Sequence, residues 1–418
     1  MRKPLWGVML QVMRGWSRTL GIFCGGVVFV FVICAVCCRK RKPRRIPCVK
    51  QRNSPINGSA YLGLQNQGST CYLNSLLQCL FLTPNFTNIL FWCNSPPTRK
   101  VYPFCGIFCR CGLNLASLLC FLRWCFQPEP GIVHHLQKLF VNLQYGRTAP
   151  STRDITKALG VSDVYQPQDV EEYFRNLVKK INEECEDILP LFLLNMVHCI
   201  KCETCGQKTE QSNCIISLPL SIHPSYSSST DALSVKDALE YFLKVKELNE
   251  DNKCYCDTCG CKQDAASLFY FNSLPEILVI ILKRYEFHTT GFRKLNIEVS
   301  VPCELKIPEG SRTDDKVIQQ RYNLFAICHH LGGMRGGHYL SEIKSFEDNQ
   351  WYNFNDASVY KIKEEPNSSD TRTSETAYLL MYHRKYQQSA RLPCFMEKDA
   401  LNSSIKNLIN ENCYLETV

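Results

Sequence analysis

The sequence predicts an α+β protein that carries an N-terminal transmembrane helix. Three observations support this. Ahead of residue 180, apolar residues recur at helical spacing: Leu73, Leu76, Leu77 and Leu80, then Ile132, Leu136, Leu139, Phe140 and Leu143, then Val170, Tyr173, Phe174 and Leu177. From Ile215 onward, apolar runs of strand type prevail, at 215–222, 265–271, 277–282, 322–328, 351–354 and 376–382, broken by a helical stretch at 235–242. Residues 20–38 are 19 consecutive uncharged residues, enough as a helix to cross a hydrocarbon core of about 30 Å.

The apolar run exceeds the roughly 7–15 residues of a secretory signal core, and a basic block follows it instead of a small-residue cleavage site. A buried helix in a soluble protein is the rival reading, but the basic block sits awkwardly against a core. Eight basic residues lie between Arg39 and Arg52, against four before Leu20, which by the positive-inside rule leaves the rest of the chain in the cytosol. The expected organisation is a basic segment (1–19), the transmembrane helix (20–38), a basic linker (39–59), a catalytic domain (60–386) and a polar tail (387–418). A membrane is then a partner through residues 20–38, and the protein is membrane-anchored with its catalytic domain facing the cytosol.

The net charge of +9 over 418 residues sits in the first 52 residues, which hold 12 Lys and Arg and no acid. The remainder has 36 basic and 39 acidic residues. A nucleic-acid binder concentrates its basic excess on the folded part, so nucleic acid is not an expected partner. Twenty-six cysteines would read as disulfides in a secreted protein. Here paired Cys-x-x-Cys units and a candidate thiol nucleophile argue for a reducing compartment.

That nucleophile is Cys71. A glycine-rich, polar approach (Gly63 to Gly68) leads into the leucine stripe, Ser69 or Thr70 can cap the helix, and Cys71 falls in its first turn. Unpaired N–H groups and the helix dipole favour a thiolate there. Asn66, five residues earlier on the incoming loop, can donate its amide to a developing oxyanion. A core cysteine on a capped helix is the plainer reading. It is outweighed by a distant stretch that supplies a base: His329 and His330, a glycine-rich loop at 332–337, His338-Tyr339, and Trp351 to Asp356. A thiol nucleophile needs an imidazole within reach, and the imidazole needs a third group to fix its tautomer. Asn355 and Asp356 can serve.

Together the two stretches resemble the Cys box and His box of the ubiquitin-specific proteases, papain-like thiol enzymes that remove ubiquitin. The resemblance covers roughly Ala60 to Arg384, with a poor match over Phe91 to Gly131. It implies a papain-like fold with thumb, palm and fingers subdomains. It implies a thiol hydrolase acting after the C-terminal glycine of ubiquitin, with ubiquitin or ubiquitinated proteins as partners. The resemblance places the base at His338 and the third member at Asn355, with Asp356 sharing or supporting that role. His330 corresponds to a histidine lining the channel for the ubiquitin tail. Gln168 and Asp169, in a stretch where Pro167 suits a first helical turn, match a polar motif that contacts that tail. A protease for a ubiquitin-like modifier with the same Gly-Gly end, and a non-catalytic ubiquitin-binding scaffold, are the alternatives.

Cys202/Cys205 and Cys256/Cys259 are two Cys-x-x-Cys-Gly units separated by 50 residues. Four thiolates of this kind make a closed structural zinc site. The resemblance puts such a site at the tip of the fingers, here about 196–270. Cys199, Cys214, Cys254 and Cys261 lie close enough in sequence to blur the ligand choice, and a redox Cys-x-x-Cys is the runner-up. Residues 102–126, rich in Phe, Leu and Cys, read equally as a buried hairpin, a membrane-associated insertion or a metal loop, and receive no function. Residues 309–320 read as a charged loop, and 401–408 as a short helix.

Overall fold

A computed structural model describes residues 61–93, 130–223, 233–288, 291–310, 317–333, 336–363 and 371–385. The chain opens with helices α1 (Cys71–Phe81), α2 (Pro84–Trp92), α3 (Ile132–Tyr145), α4 (Arg153–Leu159) and α5 (Val170–Asn182). Strands follow: β1 (Leu194–Cys202), β2 (Lys208–Ile215), β3 (Leu218–Ser221) and β4 (Leu233–Ser234), then α6 (Val235–Leu243). Next come β5 (Lys246–Leu248), β6 (Cys254–Cys256), β7 (Cys261–Gln263), β8 (Ala265–Ser273), β9 (Ile277–Lys283), β10 (Tyr285–His288) and β11 (Gly291–Lys294). The chain continues through β12 (Val299–Pro302), β13 (Glu304–Glu309), β14 (Ile318–Gly333), β15 (Gly336–Lys344) and β16 (Trp351–Asn355). It closes with β17 (Ser358–Lys361), β18 (Thr371–Ser374) and β19 (Ala377–Arg384). The mixed α+β class expected from the sequence is the class observed.

The central sheet runs β17-β16-β15-β14-β19-β9-β3, with β13 paired to β14. One apolar core lies between a face of this sheet and α1, α2, α3 and α5; a second lies on the other side, with α6. Every residue of α1 is buried, so the helix carrying the thiol is enclosed all round. Its leucine stripe marked a helix; what the stripe did not show is that Asn74, Ser75 and Gln78 are buried with it. A second sheet, β2-β1-β8-β5, and the hairpin β6–β7 occupy the stretch expected to form the fingers.

Arg284 ends the buried run after β9 and is itself wholly buried. Its guanidinium donates to the carbonyls of Ala377, Leu295, Ile297 and Ser374, tying the segment after β11 to the start of β19. Burial pulls its pKa to about 10, which leaves it charged at neutral pH.

The expected transmembrane helix is corrected. Among the described residues no helix is long and apolar enough to cross a membrane. The longest, α3, has 14 residues, about 21 Å of rise against a core of about 30 Å. Residues 20–38 lie outside the described residues. The membrane anchor, the membrane partner and the cytosol-facing localisation built on them are withdrawn.

Local expectations are corrected too. The helix expected from Pro167 begins at Val170, with Asp169 as its N-cap. The glycines at 332, 333, 336 and 337 belong to the β14–β15 ladder instead of a loop, and strand β14 already begins at Ile318. Residues 102–126 and 401–408 lie outside the described residues.

Candidate active site

The site is assembled from the two ends of the described chain. Gly63 makes this possible: a Cβ there would sit 2.2 Å from the carbonyl oxygen of Asp356 and 2.6 Å from Ala357 Cα. Without a side chain, the loop before α1 lies flat on the turn after β16, and Leu64 N–H donates to the Asp356 carbonyl at 2.8 Å.

Cys71 opens α1 and is 5% exposed. The expected side-chain cap is absent. Thr70 is the N-cap residue, but its hydroxyl accepts from Gln67 N–H at 3.0 Å and meets Asn66 Oδ1 at 3.1 Å. Tyr339 N–H donates to Cys71 Sγ at 3.4 Å, which sets the thiol beside the residue that follows His338. His338 Nε2–H donates to Asn355 Oδ1 at 2.7 Å. That bond leaves Nδ1 as the nitrogen able to take the thiol proton.

Asp356 does different work from the sharing role expected of it. One carboxylate oxygen accepts from Asn66 Nδ2 at 2.9 Å, the other from Asn74 Nδ2 at 2.8 Å. Asn66 Oδ1 in turn accepts from the N–H groups of Gly68 and Thr70 at 2.9 and 3.1 Å. The amide of Asn66 is therefore held at both ends, with one Nδ2 proton beyond its bond to Asp356. Asn74 was missed in the sequence. Its only signal is a polar residue inside a leucine-rich helix.

The helix-start argument for a thiolate is also revised. Burial pushes the Cys71 thiol above its ordinary value, and the Asp356 charge pushes in the same direction; the Tyr339 N–H opposes them. Desolvation of the thiolate outweighs the helix terminus. Alkylation of Cys71 by a small neutral reagent, followed on its own peptide by mass spectrometry, should keep rising with pH through the ordinary thiol range. A plateau near neutrality would show that the resting protein already holds a thiolate.

A cleft of about 270 Å³ is lined by Cys71 together with Gln168, Asp169, Tyr285, His330, Gly336 and Gly337. The structure thus brings together all three residues expected to bind substrate. Asp169 is heavily engaged: Oδ1 accepts from the N–H groups of Glu171 and Glu172, and Oδ2 from the Tyr378 hydroxyl at 2.8 Å. His330 is buried, and desolvation together with nearby Lys294 lowers its pKa to about 4, so it is neutral.

Cys202, Cys205, Cys256 and Cys259 bring their four sulfurs within 4.8 Å of one another. A tetrahedral ion with metal–sulfur bonds of about 2.3 Å needs sulfur–sulfur edges of about 3.8 Å, so the cluster is sized for one metal ion. Cys199, Cys214, Cys254 and Cys261 lie outside it. The two glycines of the paired units are needed for the turns. Gly206 and Gly260 have φ of 75° and 69°, and each donates its N–H to the first cysteine carbonyl of its unit at 2.9 Å.

A buried thiol on a helix start, an imidazole oriented by an amide and a cleft lined by the thiol make up the arrangement of a papain-like site. The sequence profile described as ubiquitin carboxyl-terminal hydrolase matches residues 62–382, and the chain belongs to that family. Ubiquitin carboxyl-terminal hydrolase 47 of Mus musculus is 30% identical over 443 aligned residues, covering 86% of this chain and 30% of the relative. Its Xenopus laevis counterpart is 30% identical, covering 84% and 30%. Ubiquitin C-terminal hydrolase 12 of Arabidopsis thaliana is 29% identical, covering 72% and 25%. The chain spans about 30% of the length of the first of these relatives.

Proposed function

We propose that the protein is a thiol-dependent deubiquitinase that hydrolyses the isopeptide or peptide bond after the C-terminal glycine of ubiquitin. The observation that carries this reading is the Cys71, His338 and Asn355 set beside a cleft lined by Gln168, Asp169 and His330, within a chain of the ubiquitin hydrolase family. Cys71 attacks the glycine carbonyl as His338 takes its proton. Asn66 donates to the oxyanion, and Asp356 holds Asn66 in place. His338 then protonates the leaving amine and, in the second half, activates water to release ubiquitin from the thioester. Asn355 keeps the imidazole in the tautomer this requires. Gln168, Asp169 and His330 line the path of the tail.

The decisive experiment is labelling with ubiquitin bearing a C-terminal electrophile. Covalent capture by wild-type protein and none by Cys71→Ala supports the reading. Parallel capture of ubiquitin-like modifiers ending in Gly-Gly tests the alternative substrate. Failure to capture any of them removes the enzymatic assignment.

For the fingers cluster we propose structural zinc, held by Cys202, Cys205, Cys256 and Cys259. The fit rests on four cysteine sulfurs within 4.8 Å of one another with the knuckle turns already formed. With all four positions taken by protein, the ion supplies folding free energy and no chemistry. Purified protein should contain about one zinc per chain by elemental analysis, the capacity of one four-thiolate site. Cys256→Ser should lower that ratio and weaken ubiquitin binding more than it slows hydrolysis of a small thioester. Cys254→Ser and Cys261→Ser should leave the zinc content unchanged.

A further inference from the structure

Lys294 ends the β10–β11 hairpin, and its side chain leaves that hairpin for the end of β14. The ammonium donates to the carbonyl of His330 at 2.8 Å and to the carbonyl of Gly332 at 2.8 Å. Its third contact is His330 Nδ1 at 3.3 Å. An ammonium has three protons and no lone pair, so all three are accounted for and each contact is one it donates. The Tyr285 hydroxyl, from the start of the same hairpin, lies 2.8 Å from the same Nδ1. Arg284, which precedes it, fixes the base of this hairpin by donating to the Leu295 and Ile297 carbonyls.

An ammonium can only donate to Nδ1, whereas the Tyr285 hydroxyl can donate or accept there; with Nδ1 as the acceptor, the single proton of the neutral ring sits on Nε2. Nε2 lies against Gly337, where a Cβ would come within 2.5 Å of it, at the edge of the cleft that Cys71 also lines. The charged and titratable groups around the ring are Lys294 and Tyr285 from the hairpin, Asp169 before α5, Tyr339 on β15 and Tyr378 on β19. Of these, Lys294 and Tyr285 are the ones that touch its nitrogens.

We propose that Lys294 is a positioning residue: by bonding to His330 Nδ1 and to the carbonyls of His330 and Gly332, it fixes His330 as an Nε2–H donor facing the cleft and pins the β14 end of the glycine hairpin. Resting on the deubiquitinase reading, the group this donor meets is a backbone carbonyl of the extended tail. An extended Gly-Gly segment offers backbone groups and no side chains, so its recognition depends on donors held in place beforehand.

The test uses Lys294→Met, which keeps length and apolar stem while removing all three donors, and Lys294→Arg, which keeps the charge. Nitrogen NMR of the histidine rings in the free, full-length protein should show His330 protonated at Nε2 in wild type. In Lys294→Met the ring should shift toward the other tautomer or a mixture, and Lys294→Arg should restore part of the wild-type pattern. With a ubiquitin C-terminal amide substrate, Lys294→Met should raise KM about tenfold, the size of one lost hydrogen bond, with kcat little changed. A wild-type His330 protonated at Nδ1, or a Lys294→Met protein with wild-type tautomer and KM, overturns the proposal. A wild type that turns over no ubiquitin substrate defeats the deubiquitinase reading, while the NMR comparison still decides the role of Lys294.

Discussion

Cys71→Ala should abolish cleavage of ubiquitin C-terminal amides, a loss of at least about 10⁴-fold, and leave ubiquitin binding intact. The thiol supplies the only atom that forms a bond to the substrate carbonyl, so no neighbouring group substitutes for it. Binding should survive because the side chain is small and α1 is held by burial along its whole length, not by the sulfur. Steady-state hydrolysis and calorimetric titration with ubiquitin separate the two properties. His338→Ala should be nearly as severe. The imidazole must both take the thiol proton and return one to the leaving amine, and the burial that raises the Cys71 pKa makes the thiol more dependent on that base. Measurable turnover by purified Cys71→Ala protein would end the assignment.

The second large effect is expected at Asp356, and its pattern matters more than its size. Asp356→Asn should lower kcat by about 10²–10³, the cost of losing one oxyanion donor. Asparagine is the appropriate replacement because residue 356 has φ of 48°, a left-handed conformation that Asn adopts at little cost and Ala does not. The new amide offers one acceptor where the carboxylate offered two, so it cannot hold both Asn66 and Asn74. Because Asp356 acts through Asn66, the double variant Asn66→Ala/Asp356→Asn should be no slower than the worse single variant. Fully additive losses would show that Asp356 works elsewhere. Asn355→Ala should add its loss to that of Asn66→Ala, since Asn355 holds the imidazole and not the amide.

Helix and strand types were legible in the sequence wherever an apolar stripe was long, as in α1, α3, β9 and β19. Boundaries were less so. Pro167 looked like a first helical turn, yet the helix waits for Asp169, whose carboxylate accepts two N–H groups. A real cap outweighs a residue that is merely compatible with a helix start. The short α4 has too few buried positions for periodicity to mark it. The glycines at 332–337 read as loop because composition reports backbone freedom, whereas the register of β14 with β15 sets their pairing. In the site, Cys71, His338 and Asn355 were legible as residue types in order along the chain. What each touches was not: the division of labour between Asn355 and Asp356, the role of Asn74, and the reach of Lys294 to the end of β14 depend on which strand lies beside which. The transmembrane reading came from one apolar run with a basic flank, and no helix among the described residues carries it further.

The closure of Asp356 onto Asn66 and Asn74 spans sequence separations of 290 and 282 residues, and the contact of Tyr339 with the thiol spans 268. During synthesis the nucleophile therefore exists long before its base. At about 5–20 residues per second, the interval is on the order of ten to fifty seconds. Throughout it the nascent chain displays a cysteine without an imidazole and an amide without its anchor. The constellation is complete only once the strands that carry His338 and Asn355 have been made, so a chain ended anywhere before His338 lacks the proposed base however well its first helices fold.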